Sequence, residues 1–294
     1  MNKRFLTLGA AVALASMLLS ACSGSPSTST TGSTGSAGAA TLAVVGKPFS
    51  TERYGIGLPL DTPYCDQVTS AIKDMISDGT WKAKLDSELT GVQYTPNAEK
   101  NPPKDFEACA APGKAALVTA GKLTIGIKFD QPKLGFKSGS TYTGFDVDVA
   151  TYVAGKLGFT PDKIVWKESV SSQRETLLQN HQVDLIVATY SITDARKQKV
   201  QFAGPYFVAG QDLLVKVGNT AITGPESLNG KKLCSVTGST PAQNIKDKYA
   251  KEVQLVEQTT YSECVSALLA GQIDAVTTDD IILAGLAAAS AGGK

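Results

Sequence analysis

The stretch 184–208, DLIVATYSITDARKQKVQFAGPYFV, decides the fold of this chain. It opens with a short apolar run, which predicts a buried strand. The strand ends in three hydroxyl residues, Thr189, Tyr190 and Ser191. A helix start follows at once and carries Arg196. Because a guanidinium can hold a carboxylate through two parallel hydrogen bonds, this strand end is a candidate carboxylate site. The alternative is an ordinary strand-to-helix turn whose arginine makes a surface ion pair.

Strand and helix patterns alternate along most of the chain. Strand patterns lie at 42–45, 54–58, 122–129, 163–166, 184–188, 231–236, 253–255 and 275–277, and helix patterns lie at 65–76, 145–157, 172–180, 241–249, 261–270 and 279–289. This alternation predicts an α/β fold with mostly parallel sheets and helices on both faces. Ligands of such sheets bind at the carboxyl ends of the strands, where the hydroxyl cluster and the arginine lie.

The N-terminal region predicts export. Two basic residues precede an apolar stretch, 5–19, which is too short to span a bilayer as an ordinary transmembrane helix. The stretch ends in Leu-Ser-Ala-Cys22, which looks like a lipobox. We therefore expect 1–22 to be a lipoprotein signal peptide, cleaved before Cys22, whose thiol carries the lipid; an ordinary signal peptide is the alternative. Residues 23–40 are rich in Ser, Thr, Gly and Ala and predict a flexible tether.

Charge and cysteine content limit the partners of the folded part. A net charge of +1 over 294 residues gives no reason to expect a nucleic-acid partner. Besides the lipobox cysteine there are four cysteines, and an even number in an exported protein favours two disulfides. Three pairings are possible; we favour Cys234–Cys264, which lie in neighbouring strand and helix elements, and this leaves Cys65–Cys109. No Cys-x-x-Cys pair is present and His181 is the only histidine, so we expect no metal and no other cofactor.

Several motifs resemble the polar amino-acid family (family 3) of solute-binding proteins that serve ABC importers. They are Lys122-Leu-Thr-Ile-Gly-Ile-Lys128, Gly144-Phe-Asp-Val-Asp148, Ser191–Arg196, Phe202-Ala-Gly-Pro-Tyr206, Cys234-Ser-Val-Thr-Gly-Ser239 and Asp274-Ala-Val-Thr-Thr-Asp279. The resemblance covers nearly everything from Leu42 onward and is closest to actinobacterial glutamate-binding lipoproteins. It implies a two-lobed periplasmic-binding-protein-like (type II) fold that holds its ligand between the lobes.

The order of segments departs from the family. In the family, the stretch that resembles 41–91 follows the helix that resembles 279–289, whereas here it comes first. We therefore predict a circularly permuted fold, which is tolerable because family termini lie at the surface. An internal duplication with partial loss, or an artificial rearrangement, is the alternative. The predicted first lobe combines 50–109 with 116–208, the second combines 42–46 with 213–289, and the hinge lies near 47–57 and 206–213.

The resemblance also implies roles for individual residues. Arg196 would pair with the α-carboxylate of a free amino acid, and Ser191 and the turn near Thr240 would add hydrogen-bond donors. Asp279 would receive the ammonium group, helped by the carbonyl or hydroxyl of Thr189. The alternative for Asp279 is a plain N-cap of the helix that follows it.

Two further cations predict the side chain of the ligand. Lys128 stands at the end of the first family strand, and Arg174 matches a basic residue of acidic-amino-acid binders. Both lie beyond the α-carboxylate clamp, so a second carboxylate on the ligand would neutralise them. This favours glutamate, then aspartate, over glutamine. The alternative is that Lys128 is a solvated strand end and Arg174 a surface helix residue.

These expectations describe a lipid-anchored monomer on the extracellular face of the cell membrane. It would close its two lobes on a free amino acid about the hinge and deliver the ligand to an ABC permease. The alternatives are a glutamine or asparagine binder, an amino-acid sensor and, less favoured, a dehydratase-like enzyme on the same fold. We expect no enzyme, because no acid–base set can be built around His181.

Overall fold

The computed structural model describes residues 41–249 and 253–291. The predicted signal peptide, the tether and Cys22 lie outside the described residues. Within the part that is described, no helix is both long enough and apolar enough to cross a membrane.

The described chain alternates strands and helices. The strands are β1 (Leu42–Val44), β2 (Glu52–Leu58), β3 (Leu123–Ile127), β4 (Asp130–Gln131), β5 (Gly135–Ser138), β6 (Thr141–Thr143), β7 (Ile164–Glu168), β8 (Leu185–Val187), β9 (Gln201–Ala209), β10 (Gln211–Lys216), β11 (Lys232–Val236), β12 (Gln254–Gln258) and β13 (Ala275–Asp279). The helices are α1 (Cys65–Ser77), α2 (Thr80–Glu88), α3 (Phe145–Lys156), α4 (Arg174–Gln179), α5 (Asp194–Lys197), α6 (Thr240–Asn244), α7 (Tyr261–Leu269) and α8 (Asp280–Ala291).

Two five-stranded sheets form the centres of two lobes. The first sheet has the order β7-β3-β8-β2-β9, in which β7, β3 and β8 are parallel and β2 runs antiparallel to both of its neighbours. The second has the order β1-β10-β13-β11-β12, in which β12, β11 and β13 are parallel and β10 runs antiparallel to both of its neighbours. Strands β4, β5 and β6 form a small antiparallel sheet that the sequence patterns did not predict. The predicted α/β class is confirmed, but the two large sheets are mixed rather than mostly parallel, because β2 and β10 pair antiparallel with both of their neighbours.

Two chain segments pass between the sheets. Only Gly210 separates the end of β9 from the start of β10, and residues 45–51 connect β1 to β2. A Cβ atom on Gly210 would lie 2.6 Å from the Cβ of Pro48, so a glycine is needed where the two segments come close. Both segments overlap the predicted hinge ranges, whose motion stays a prediction.

Helix α1 builds the core of the first lobe against β9. Its apolar side chains recur at a helical spacing, and Val68, Ile72 and Met75 are at most 1% exposed. Burial of each of them contributes about 1.5–3 kcal/mol. Trp81 of α2 is also buried, and its indole N–H donates to the carbonyl of Tyr206 at 2.7 Å. The residues that the apolar pattern of this part of the sequence places on one helix face are therefore the residues that are buried.

Each lobe contains one of the two predicted disulfides. Cys65 at the start of α1 is bonded to Cys109, with a Cα–Cα distance of 5.7 Å. Cys234 of β11 is bonded to Cys264 of α7, with a Cα–Cα distance of 5.6 Å. The second pair joins a strand to the helix packed on it, which is the neighbour relation that the sequence suggested.

Residues 95–114 contain no helix or strand, but they pack along the outer edge of β9. The side-chain amide of Asn101 donates to the carbonyl of Val208 at 2.8 Å and accepts from its N–H at 2.9 Å. The N–H of Glu107 donates to the carbonyl of Gly204 at 2.7 Å. Because an open edge strand invites pairing with another chain, this segment protects β9.

The Cys65–Cys109 bond should be a main contributor to the stability of the first lobe. We expect the double substitution Cys65→Ser/Cys109→Ser to lower the free energy of unfolding by about 4 kcal/mol, because the bond closes a long loop in the unfolded chain. Urea titration followed by circular dichroism measures this loss. Reduced wild type, which lacks both disulfides, should lose more than the variant. A loss below about 1 kcal/mol in the variant would contradict the prediction.

Candidate functional site

A small cavity of about 10 Å³ lies between the two lobes. The first lobe lines it with Gln131, Ser171, Arg174, Thr189 and Ser191, and the second with Ser239, Thr240, Pro241, Tyr261, Asp279 and Ile282. These include five of the seven residues predicted to bind ligand. The other two, Lys128 and Arg196, stand behind the lining, and each donates a hydrogen bond to a residue of the lining.

The turn after β8 forms the floor of the cavity on the first lobe. Thr189 has a φ of 44°, which is uncommon for a residue with a side chain and costs about 1–2 kcal/mol. Its N–H donates to the carboxylate of Asp146 at 2.9 Å, and the hydroxyl of Tyr206 donates to the same carboxylate at 2.8 Å. Burial raises the pKa of Asp146 to about 6, against the effect of these two hydrogen bonds. The buried carboxylate therefore holds the turn in its strained conformation.

Arg196 connects the two lobes. The hydroxyl of Thr193 caps α5 and accepts from the N–H of Arg196, which fixes where the side chain leaves the helix. The Arg196 Nη1 atom donates to the carbonyl of Ser191 at 2.8 Å and to the Thr240 hydroxyl at 2.8 Å, and Nη2 donates to the carbonyl of Gly238 at 2.9 Å. Its Nε atom lies 3.0 Å from a carboxylate oxygen of Glu175. The residue is only 9% exposed, so the interpretation as a surface ion pair does not apply.

Arg174 is the arginine that lines the cavity. It is 2% exposed, which rules out the interpretation as a surface helix residue. Its Nε and Nη1 atoms donate to the carbonyls of Ser171 and Ala188, at 3.2 and 3.0 Å. Burial, followed by the charge of Arg196, lowers the pKa of Arg174 to about 10, so the group is still a cation at neutral pH. The backbone thus holds a positive charge at the wall of the cavity.

Asp279 supplies the opposite charge. It ends β13, is 2% exposed and accepts a hydrogen bond of 2.6 Å from the Tyr54 hydroxyl of the first lobe. Its second oxygen, Oδ1, is buried and has no hydrogen-bond partner among the described residues. Burial, followed by the charge of Glu52, raises the pKa of Asp279 well above its usual range. Among the described residues its carboxylate accepts from Tyr54 and from no N–H of α8, so the structure gives no support to an N-cap role.

Comparison with known proteins identifies the family. Residues 123–241 match the bacterial extracellular solute-binding proteins, family 3. The glutamate-binding protein GluB of Corynebacterium efficiens is 48% identical over 181 residues, which are 60% of this chain and 61% of that protein. A glutamine-binding protein of Geobacillus stearothermophilus is 41% identical over 169 residues, which are 57% of this chain and 64% of that protein.

A solved structure agrees with these matches. An ancestral arginine-binding protein bound to glutamine is 36% identical with a TM-score of 0.53, over 56% of this chain and 72% of that one. The chain belongs to this family of solute-binding proteins. The predicted two-lobed fold is confirmed. The chain spans about three fifths of the length of the two relatives named above.

Lys128 of this solute-binding protein is buried behind the cavity. It follows β3, is 2% exposed and donates to the hydroxyl of Ser171 at 2.8 Å. The interpretation as a solvated strand end is therefore ruled out. Burial, then the charge of Arg174, lowers the pKa of Lys128 to about 7, although Asp130 and Asp146 act in the opposite direction.

Six residues of the lining were missed from the sequence: Gln131, Ser171, Ser239, Pro241, Tyr261 and Ile282. The Gln131 side chain accepts from the Thr189 hydroxyl at 3.1 Å, and its Nε2 atom is buried without a partner among the described residues. The N–H of Tyr261 at the start of α7 donates to Asp130 of the first lobe at 2.7 Å. Ser239, whose hydroxyl accepts from an N–H of α6, is its N-cap. Of these residues, only Ser239 could have been recognised from the sequence, as a serine two positions before a proline at a helix start.

The titration of Lys128 should appear in the stability of the ligand-free solute-binding protein. Between about pH 7 and pH 10 the unfolded chain binds a proton at Lys128 that the folded chain does not, so the free energy of unfolding rises with pH. Below about pH 7 the cost of the buried cation is fully present. We expect Lys128→Met to be more stable than wild type at pH 6, by a margin that shrinks towards pH 9.5. Urea titrations across this range measure the margin.

The matched control is Lys137→Met, which removes a half-exposed lysine that pairs with Glu168. That variant should follow the pH dependence of wild type. Parallel curves for Lys128→Met and wild type would contradict the assignment of the slope to Lys128.

Proposed function

We propose that this protein binds a free acidic amino acid, glutamate first and aspartate second, and delivers it to an ABC importer. The observation that carries the proposal is the unpartnered Oδ1 atom of Asp279, buried in the same small cavity as the guanidinium of Arg174. A buried charge without a partner is costly, so a cavity with both signs of charge suits a ligand that has both. A zwitterionic amino acid meets that requirement.

The ammonium group belongs at Asp279 in this proposal. The Tyr54 hydroxyl already occupies Oδ2, which leaves Oδ1 free to accept from a cation. The hydroxyl of Thr189 is committed to Gln131, so the assistance predicted from Thr189 falls to its carbonyl. A bound ammonium would also stabilise the ionised form of Asp279, whose pKa is raised by burial.

The α-carboxylate belongs near Arg196, Ser191 and Thr240. Ser191 and Thr240 line the cavity from opposite lobes, and Arg196 already bonds to both residues. A carboxylate placed between them would accept hydrogen bonds from hydroxyls of both lobes and from the guanidinium. A bond between the guanidinium and a carboxylate, in which both partners are charged, is stronger than the bonds that Arg196 makes to the uncharged oxygens of Thr240 and Gly238.

The second carboxylate of glutamate belongs near Ser171. Two cations converge on this residue, since Lys128 bonds to its hydroxyl and Arg174 to its carbonyl. A ligand carboxylate would offset both charges, whereas the amide of glutamine would offset neither. The glutamate-binding relative at 48% identity supports this assignment, and the glutamine-binding relative at 41% makes glutamine the second candidate.

Closure of the lobes would couple binding to delivery. The bonds of Tyr54 to Asp279 and of Arg196 to Thr240 and Gly238 join the lobes on either side of the ligand. A ligand that bridges the same groups would stabilise the closed form. That form, held as a lipid-anchored monomer on the extracellular face of the membrane, would dock on the permease.

We also propose that the fold is circularly permuted. The family match begins at residue 123, whereas β1 and β2, which precede it, supply one strand to each lobe. A chain rearranged so that 41–115 follows 291 should fold and bind the same ligand. Failure of that chain to fold would contradict the permutation.

Isothermal titration calorimetry with single amino acids tests the ligand. We expect the tightest binding for glutamate, weaker binding for aspartate and at least about tenfold weaker binding for glutamine, because only the first two offset the charges of Lys128 and Arg174. Tight binding of glutamine with no heat from glutamate would contradict the acidic specificity. Turnover of any ligand during the titration, followed by mass spectrometry, would contradict a pure binding role.

Removal of the charge at Asp279 tests the ammonium site. We expect Asp279→Asn to weaken binding of every amino acid by about 100-fold or more, because the ammonium is common to all and loses a buried partner. Asp280→Asn is the matched control: its carboxylate pairs with Tyr94 outside the cavity lining, and affinity should change by less than about threefold. Equal losses in both variants would remove Asp279 from the ligand site.

A further inference from the structure

Tyr190 lies behind the cavity, beneath both arginines of the site. Its side chain is 0% exposed. The guanidinium carbon of Arg174 is 4.2 Å from the centre of its ring, and that of Arg196 is 4.9 Å from the same centre. Two like charges thus share one aromatic ring.

An attractive interaction is needed to hold the two cations close to each other. Like charges repel each other, and here the repulsion contributes to the lowered pKa of Arg174. The electron-rich face of an aromatic ring attracts a guanidinium, and the attraction grows when water is excluded. The Tyr190 ring therefore offsets part of the repulsion for both cations, while the Glu175 carboxylate forms a direct ion pair with Arg196 and attracts Arg174 from a greater distance.

The backbone ties the ring and the arginines into one unit. Arg174 donates to the carbonyl of Ala188 and Arg196 to the carbonyl of Ser191, so the two guanidinium groups hold the chain on both sides of Tyr190. The carbonyl of Tyr190 itself accepts from the N–H of Gly55 at 2.9 Å. Any displacement of the ring would therefore change the positions of both guanidinium groups.

Strand β2 provides the space for the ring. A Cβ atom on Gly57 would lie 2.7 Å from Cε1 of Tyr190, closer than real Cβ contacts. Gly57 is not in a left-handed conformation, so the glycine is needed for space alone. The ring of Phe202 packs edge-to-face on Tyr190 at a centroid distance of 4.8 Å and closes another side.

We propose that Tyr190 is a positioning residue that holds Arg174 and Arg196 at the spacing required by the two carboxylates of one acidic amino acid. The inference rests on the proposed function and adds a residue outside the cavity lining. Arg174 depends more on the ring, because it lies closer and its hydrogen bonds go to backbone carbonyls, whereas Arg196 also pairs with Glu175. The ring therefore sets the preference for glutamate over glutamine.

Calorimetry on two variants tests the ring. Tyr190→Phe keeps the aromatic face and should bind glutamate within about threefold of wild type. Tyr190→Leu removes the face and should weaken glutamate by about tenfold or more, with a smaller loss for glutamine, so that the ratio of the two affinities falls. An unchanged ratio in Tyr190→Leu, or an equal fall in Tyr190→Phe, would overturn the inference.

A second variant covers the case in which Tyr190→Leu does not fold. Gly57→Ala keeps the tyrosine at position 190, but the added Cβ atom would displace its ring. The variant should lower the ratio of glutamate to glutamine affinity without changing any residue of the cavity lining. Gly155→Ala in α3, whose added Cβ meets nothing within 4 Å, is the matched control and should leave the ratio unchanged. A loss of thermal stability in Gly57→Ala with an unchanged ratio would mean a purely structural role and would overturn the inference.

Ligand binding by wild type distinguishes failure of the Tyr190 role from failure of the proposed function. If wild type binds glutamate and every variant keeps the wild-type ratio of glutamate to glutamine affinity, the role of Tyr190 is overturned. The proposed function then still stands. Wild type that binds neither glutamate nor glutamine overturns the proposed function, and the role of Tyr190 with it.

Discussion

A charge taken out of water must find a partner, and the rest of this structure depends on that constraint. Lys128, Arg174, Arg196 and Asp279 are each less than one-tenth exposed around one small cavity. Neither lobe satisfies them alone, because Arg196 of the first lobe reaches Thr240 of the second. The contact between the lobes and the pairing of these groups are therefore linked, and the proposed ligand would add charges of both signs to the same cavity.

Local sequence signals predicted the α/β class, and the family motifs predicted five of the residues that line the cavity. Alternating strand and helix patterns gave parallel strands, and the ligand groups of such sheets gather at strand ends, which is where Thr189 and Asp279 lie. The helix start at Thr193 placed Arg196 correctly, because a capped turn fixes its own side-chain directions. The disulfide of Cys234 and Cys264 followed from a strand packed on its neighbouring helix.

The remaining features arise from contacts between distant parts of the chain, which no local pattern reports. Gln131 reaches the cavity through the small sheet of β4, β5 and β6, and its role depends on the Thr189 hydroxyl. The sequence showed Tyr190 only as one of three hydroxyl residues at a strand end, whereas the structure places it under two arginines, against a glycine of β2. Burial of Lys128 was equally invisible, because a lysine at a strand end reads as solvated.

The placement of the disulfides has a mechanical consequence. Cys65–Cys109 ties α1 to the segment that covers β9, and Cys234–Cys264 ties α7 to β11, so in the described chain each cross-link stays within its own lobe. Each lobe thus has its own covalent cross-link, while the described contacts between the lobes are noncovalent. Opening of the cavity in the proposed binding cycle would therefore break no disulfide.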